Sequence, residues 1–368
     1  MKRIFHIISH FDLGGAERVA VNISKSDNKE LEYHVVELVR AHGEFSRTFV
    51  AELDAAHIYY HRFFIPSIKF HYVFERLAAF VFPFWFIWLF RRYQPQVIHC
   101  HTEMPELAVF LFFRLFPSLL QRCSVVRTIH NTTLWTGLDR VGRRVERFMQ
   151  KQGANIAISL HVARNYMISY GEYPPIIYNG VAEPYEQLCY KQLERDKINI
   201  LFAGRLEAQK GISTLLEIIK MECDDRRYFF HIIGDGRLRS QVEEVLHECP
   251  NARFSPPLYG LSRYMSSFDF LLMPSLHEGL SILSIEAAFC RLPNIINSCD
   301  GLVDTLPEDW PLKVYNNDLN AYKRLFDEVL PIIDVDALGA RAFDNAQQRF
   351  SIQQMQHAYE QIYLNTFH

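Results

Sequence analysis

Ile198-Asn199-Ile200-Leu201-Phe202-Ala203 is an apolar run of strand length, and it ends in Gly204-Arg205-Leu206-Glu207-Ala208-Gln209-Lys210-Gly211. A helical pattern begins near Ser213. A short buried strand that passes through a glycine-bounded loop into a helix is the βα unit of a parallel sheet. The same alternation continues on both sides. Further strands are predicted at 229–233, 270–273 and 294–296 downstream, and at 4–9, 33–38, 97–99, 125–130 and 156–158 upstream. Each half has its own βα series and can bury its own core, so the prediction is an α/β protein with two doubly wound halves.

Bulk properties agree with that division. A chain of 368 residues is too long for one ordinary core and suits two domains. Hydrophobic residues at 49% and charged residues at 22% exclude a disordered chain. A formal net charge of -3 gives no global field for nucleic acid, and none is expected as a partner. The charge is uneven, about +6 over residues 1–180 and about -9 over the remainder. The seven cysteines are scattered without a C-x-x-C pair, which argues against a zinc site or a disulfide framework and for reduced thiols in the cytoplasm. The opening Met1-Lys2-Arg3-Ile4-Phe5-His6-Ile7-Ile8 has too short an apolar run for a secretory signal and reads as a first strand leading to a glycine loop. The seam is placed at Asn179-Gly180, a turn signal followed by the polar stretch 183–197. The expected domains are 1–182 and 183–350, with a terminal helix at 351–368 crossing back to the first.

One stretch stands apart. Residues 77–90, LAAFVFPFWFIWLF, lie between Arg76 and Arg91-Arg92. Fourteen helical residues span about 21 Å, short of a bilayer core of about 30 Å, and Pro83 interrupts them. Residues 107–120 add Phe110, Phe112, Phe113 and Phe116 beside Arg114. Two readings stay open: core-facing helices, or helices whose exposed apolar faces, ringed by arginines, dock on a membrane.

The chemistry concentrates in the second half. Arg205 and Lys210, on a short loop beside a helix start, suit an anion such as a departing diphosphate. Downstream runs Met273-Pro274-Ser275-Leu276-His277-Glu278-Gly279-Leu280-Ser281-Ile282-Leu283-Ser284-Ile285-Glu286. Gly279 allows close backbone approach, and the amides of Leu280, Ser281 and Ile282 are expected to be free donors at a helix start. Carboxylates accept paired hydrogen bonds from vicinal hydroxyls, which suits Glu278 and Glu286 to a sugar ligand. Glu286 sits among Ile285, Ala287 and Ala288, where an unpartnered carboxylate is costly, so a ligand or an internal partner is expected. In the first half, His130 ends a predicted strand and should face the ligand crevice. His99 and His101 share one strand face, but no third ligand is evident for a metal.

These elements together resemble glycosyltransferase family 4, retaining enzymes of the GT-B fold. Glu278 and Glu286 match its E-x7-E motif; Gly204, Arg205, Lys210 and Gly211 match its G-R-x4-K-G element. Gly234-Asp235-Gly236 and Gly14-Gly15 match two glycine loops. The resemblance implies two facing Rossmann-like domains with a cleft between them. It implies that Arg205 and Lys210 bind the donor diphosphate, that Glu286 holds the ribose and that Glu278 touches the transferred sugar. Gly14, Gly15 and Gly234 would approach the donor, Leu258 in Pro257-Leu258-Tyr259 would meet the base, and His130 would lie near the reacting sugar. The implied activity is retaining transfer from a nucleotide-sugar, a UDP-sugar in preference to a GDP-sugar, without metal or other cofactor. The implied acceptor is a saccharide or lipid-linked saccharide of bacterial surface-polysaccharide assembly, met in the cytoplasm or at the inner face of its membrane. A nucleotide-sugar epimerase and a non-catalytic nucleotide-sugar-binding subunit are the rival readings. Two departures stand out. Arg291 replaces a frequent family glycine, and Asp300-Gly301-Leu302-Val303-Asp304 replaces a common Gly-Gly-x-x-Glu run.

Overall fold

The computed structural model describes residues 1–11, 14–67, 71–184, 186–258 and 260–366. The chain divides into two compact units, Met1–Gly180 with Ile352–His368, and Val181–Ser351.

Among the described residues the first unit holds a six-stranded sheet in the order β3-β2-β1-β4-β5-β6, with every pairing parallel. The strands are β1 (Lys2–Ile8), β2 (Leu31–Glu37), β3 (Tyr59–Arg62), β4 (Val97–His101), β5 (Ser124–Ile129) and β6 (Asn155–Ala157). Its helices are α1 (Gly15–Ser24), α2 (Glu44–Ala55), α3 (His71–Tyr93), α4 (Glu103–Leu115), α5 (Asp139–Lys151) and α6 (Leu160–Tyr170). Side chains alternate along a strand, so β1 feeds two cores at once. Phe5 and Ile7 join Phe82, Phe86 and Phe112 on one face of the sheet. Ile4 and Ile8 join Val19, Ile23, Met355, Tyr359 and Tyr363 on the other. The terminal helix, Ile352–Asn365, thus completes the core of the first unit.

The second unit repeats the plan with the order β12-β11-β10-β7-β8-β9. Its strands are β7 (Ile198–Arg205), β8 (Tyr228–Asp235), β9 (Ala252–Ser255), β10 (Phe270–Met273), β11 (Asn294–Asn297) and β12 (Lys313–Val314). Its helices are α7 (Ile212–Met221), α8 (Arg239–Glu248), α9 (Ile282–Phe289), α10 (Leu319–Arg324) and α11 (Val335–Phe350).

Three strands lack a sequence signal: β3, β9 and β12. All lie at sheet edges. An edge strand pairs on one side only and is partly solvated, so Tyr59-Tyr60-His61-Arg62 and Ala252-Arg253-Phe254-Ser255 carry no apolar run.

Burial divides the aromatic stretch along α3. Ala78, Ala79, Phe82, Phe86, Leu89 and Phe90 are buried, whereas Leu77, Phe80, Phe84 and Trp88 are exposed. The helix continues through Pro83, whose ring is buried. The second stretch is split: α4 ends at Leu115, and a short 3-10 turn covers Pro117–Arg122. Among the described residues no helix is long and apolar enough to cross a membrane.

Candidate functional site

In a doubly wound sheet the ligand crevice opens at the carboxyl ends of the strands, where the strand order reverses. In the second unit that point lies between β7 and β10, neighbours in the sheet but separated by two βα units in sequence. The two motif loops emerge there. Gly211 has φ +70°, and a Cβ on it would lie 1.9 Å from the carbonyl oxygen of Pro274. Only glycine lets these loops pack so closely. The Leu276 amide donates to the Gln209 carbonyl at 2.8 Å, and Gln209 Nε2 donates to the His277 carbonyl at 3.1 Å. Asn297 and Asn317 brace the same loop by donating to the carbonyls of Ser275 and Pro274 at 2.9 Å each.

This scaffold brings Lys210 and Glu278 together, Nζ to Oε1 at 2.6 Å, with both side chains largely buried. Arg205 ends β7, is exposed, and makes no side-chain hydrogen bond or ion pair among the described residues. Gly234 pairs with Gly204 across the ends of β8 and β7. Gly279 and Leu280 continue the loop to the N-cap Ser281, and Ile282 opens α9. One expectation is corrected. The Ser281 amide is not free, because it donates to the Gly301 carbonyl at 3.0 Å; the Glu278 amide likewise donates to Asp300 at 3.1 Å. The chain of 300–301 zips against the motif loop and takes those donors. The amides of Leu280 and Ile282 make no hydrogen bond among the described residues. Leu258 follows β9 and is 37% exposed; Tyr259 lies outside the described residues.

Glu286 sits one turn into α9, mostly buried. It has no protein partner among the described residues, so the expected choice between a ligand and an internal ion pair goes against the ion pair. Burial pushes its carboxyl up to about 7.

The first unit has its own reversal point, between β1 and β4. Gly14 and Gly15 lead into α1 after β1; the residues just before them lie outside the described set. His130 directly follows β5. A row of histidines runs inward from it: His101 Nδ1 is 3.3 Å from His130 Nε2, and His101 Nε2 is 2.9 Å from His6 Nδ1. His99 bonds Tyr363 and Thr128, each at 2.7 Å. Burial lowers His130 to about 4 and His6 to about 3, and holds His99 and His101 well below the ordinary histidine range. His6 is the third ring that the sequence reading did not supply. No local signal in the sequence points to it: the β1–β4 pairing, which sets His6 opposite His99, brings it into the row. The three rings could offer nitrogens within 4.8 Å of one another. The rings of His99 and His101 lie side by side at 4.1 Å, however, and both nitrogens of each are engaged in hydrogen bonds, which does not suit convergence on one ion.

A cavity of about 330 Å³ opens after β1 and β4, lined among others by Ser9, His10, Glu75, Thr102, Glu103 and Trp135. Thr102 stands there at φ +80°, ψ 161°, a conformation that is costly for a β-branched residue, and its hydroxyl meets that of Ser9 at 2.9 Å. His10 approaches Glu75 at 3.5 Å. The lining is rich in hydroxyl and carboxylate groups, the chemistry that binds polyols.

Comparison with known proteins agrees with both halves. Residues 13–183 match the family described as Glycosyltransferase Family 4, and residues 197–330 match Glycosyl transferases group 1. The chain is similar to an uncharacterised protein of the cps region of Klebsiella pneumoniae, 26% identical over 73% of this chain and 78% of that one. It is also similar to the capsular polysaccharide biosynthesis glycosyltransferase CapH of Staphylococcus aureus, 24% identical over 78% of this chain and 79% of that one. The crystal structure of Anabaena HepE in complex with UDP and glucose superimposes over 100% of both chains with a TM-score of 0.74 at 15% identity.

Proposed function

We propose that this chain, a glycosyltransferase of the GT-B fold, is a retaining family 4 enzyme that moves a sugar from a nucleotide-sugar to a saccharide or lipid-linked saccharide acceptor. The observation that carries the reading is the Lys210–Glu278 pair at the β7–β10 reversal point, with Glu286, which has no protein partner among the described residues, on the helix that follows. A UDP-sugar is the favoured donor, as HepE binds UDP and glucose, and residues 183–350 form the donor domain. Residues 1–182 form the acceptor domain, whose hydroxyl- and carboxylate-lined cavity suits saccharide hydroxyls. The kinship with capsular proteins supports bacterial surface-polysaccharide assembly, in the cytoplasm or at its membrane face.

In this reading the bond from the sugar's anomeric carbon to the leaving phosphate oxygen breaks while the acceptor oxygen bonds to the same face. The acceptor proton passes to the departing phosphate. Lys210, Arg205 and the amides of Leu280 and Ile282 neutralise the charge that builds on the diphosphate, so no metal is required. Glu286 accepts hydrogen bonds from the ribose, and Glu278 orients Lys210 and the sugar.

Thermal-shift screening against UDP-, GDP- and ADP-sugars tests this, since a ligand selective for the folded state raises its melting temperature. A UDP-sugar should stabilise the protein, and Lys210→Ala should abolish both that shift and transfer. If no nucleotide-sugar stabilises the wild type, the proposal fails.

A further inference from the structure

A second charged feature lies on the first unit, away from the strand ends. Helix α5 turns Gly142, Val145, Glu146 and Met149 inward. Its outer face carries Arg140, Arg143, Arg144, Arg147 and Lys151, all exposed. Glu146 gives these cations no relief, because its carboxylate is buried against Arg127 at 2.7 Å. Between α5 and α4 runs a groove of about 660 Å³. Arg114, Arg144, Arg147 and Lys151 line it with Phe110 and Phe148, and no acidic residue does. None of these four cations makes an ion pair among the described residues. Like charges held so close repel one another, and an anion would relieve that repulsion.

The apolar stripe of α3 belongs to the same surface. Phe86 and Phe90 of α3 pack on Phe112 of α4 at 5.0 and 5.4 Å, and Phe110 of α4 packs on Phe148 of α5 at 5.6 Å. The three helices therefore form one layer over the sheet, and their solvent faces form one outer surface. Leu77, Phe80, Phe84 and Trp88, at spacings of three, four and four, are 49%, 57%, 66% and 58% exposed on it. Arg76, Arg91 and Arg92 stand at the two ends of the stripe, with the Arg92 guanidinium 5.8 Å from the Trp88 ring. Large aromatics beside exposed arginines match a bilayer surface, where rings settle at the acyl boundary and guanidinium groups meet phosphates.

We propose that the α3–α4–α5 face binds an anionic phospholipid bilayer, with the α4–α5 groove seating lipid phosphates and the α3 stripe entering the interface. The proposal deepens the reading of the chain as a transferase for lipid-linked or membrane-borne acceptors, and it gives that acceptor's membrane a docking face.

The test is co-sedimentation of the full chain with vesicles of phosphatidylcholine, alone or with about a third replaced by phosphatidylglycerol. Binding should require the anionic lipid and weaken at high salt. Arg144→Glu with Arg147→Glu should cut it by roughly tenfold or more through lost charge, and Phe84→Ser with Trp88→Ser should cut it at either salt concentration. These positions are exposed, and unchanged melting temperatures would show that the variants fold. UDP-glucose thermal shifts, read in parallel, should be the same in all variants. Vesicle binding without a nucleotide-sugar response would sink the transferase mechanism and leave the docking face standing. No wild-type binding to anionic vesicles, or equal binding to neutral ones, overturns the docking face. So does binding that survives the arginine reversals. Stabilisation by inorganic phosphate without vesicle binding would reassign the groove to a soluble anion. A dimer in light scattering that Phe84→Ser dissociates would reassign the stripe to a second copy.

Discussion

Glu286 shows how a single position couples burial to ligand chemistry. An unfolded carboxyl ionises near 4.5, while this one holds its proton up to about 7 because burial penalises the charge. The unfolded state therefore binds fewer protons across that window, and stability of the free protein falls as pH rises from 4.5 to about 7. Donor binding has the opposite slope if the ionised carboxylate accepts the ribose hydroxyls. Affinity for the nucleotide-sugar should rise roughly tenfold between about pH 6 and 8, measured by calorimetry, and Glu286→Gln should flatten the profile. A wild-type affinity independent of pH would remove Glu286 from the ribose. The sequence exposed this residue through its apolar neighbours and its spacing from Glu278. It could not show that Ser281 spends its amide on Gly301, because that bond joins loops twenty residues apart whose approach is set by the sheet.

At the scale of elements, the end of α9 explains one of the departures from the family pattern. Arg291 adopts φ +56°, the left-handed conformation that glycine usually supplies after a helix. The Leu292 amide bonds to the Ala287 carbonyl and the Arg291 amide to that of Ala288, the bonding of a Schellman cap. The Arg291 guanidinium rests 4.4 Å from the centre of the Phe343 ring on α11, which offsets part of the strain. Arg291→Gly should thus stay within about 1 kcal/mol of wild type, since strain relief and lost stacking are of similar size. Its neighbour behaves differently. A Cβ at Gly339 would fall 2.2 Å from the Arg291 carbonyl oxygen, a backbone atom that cannot turn aside. Gly339→Ala should destabilise the second unit by about 2 kcal/mol or more, read from its chemical denaturation midpoint. A neutral result would mean that α9 and α11 are free to move apart.

Across the whole molecule, the interior histidines separate the two units by acid sensitivity. His6, His99, His101 and His130 are held neutral by burial, with His6 at about 3 and His130 at about 4. Unfolded histidines take up protons near 6.5, so these four cost nothing above that pH and penalise folding below it. Each contributes about 1.4 kcal/mol per pH unit, and four together on the order of 5, comparable with the stability of a whole domain. The first unit should unfold between about pH 5 and 6, whereas the second, whose buried histidine among the described residues is His231, should persist to lower pH. Hydrogen exchange read separately for 1–180 and 181–351 measures this. Protection of the first unit that survives at about pH 4.5 would contradict the neutral histidine row.

The sequence by itself determined the two βα series, the central strands and the motif loops, because buried parallel strands and helix starts leave local signatures in apolar runs, glycines and spacing. Only the tertiary structure decided the rest. The edge strands β3, β9 and β12 lack an apolar run and wait on their neighbours to be strands, whereas the buried edge strand β6 keeps one. His6 meets His101 only because β1 lies beside β4. Which aromatics of α3 face water depends on α4 covering the opposite side. Those outcomes rest on contacts between residues far apart in the chain, and such contacts leave no mark on the local pattern of either partner.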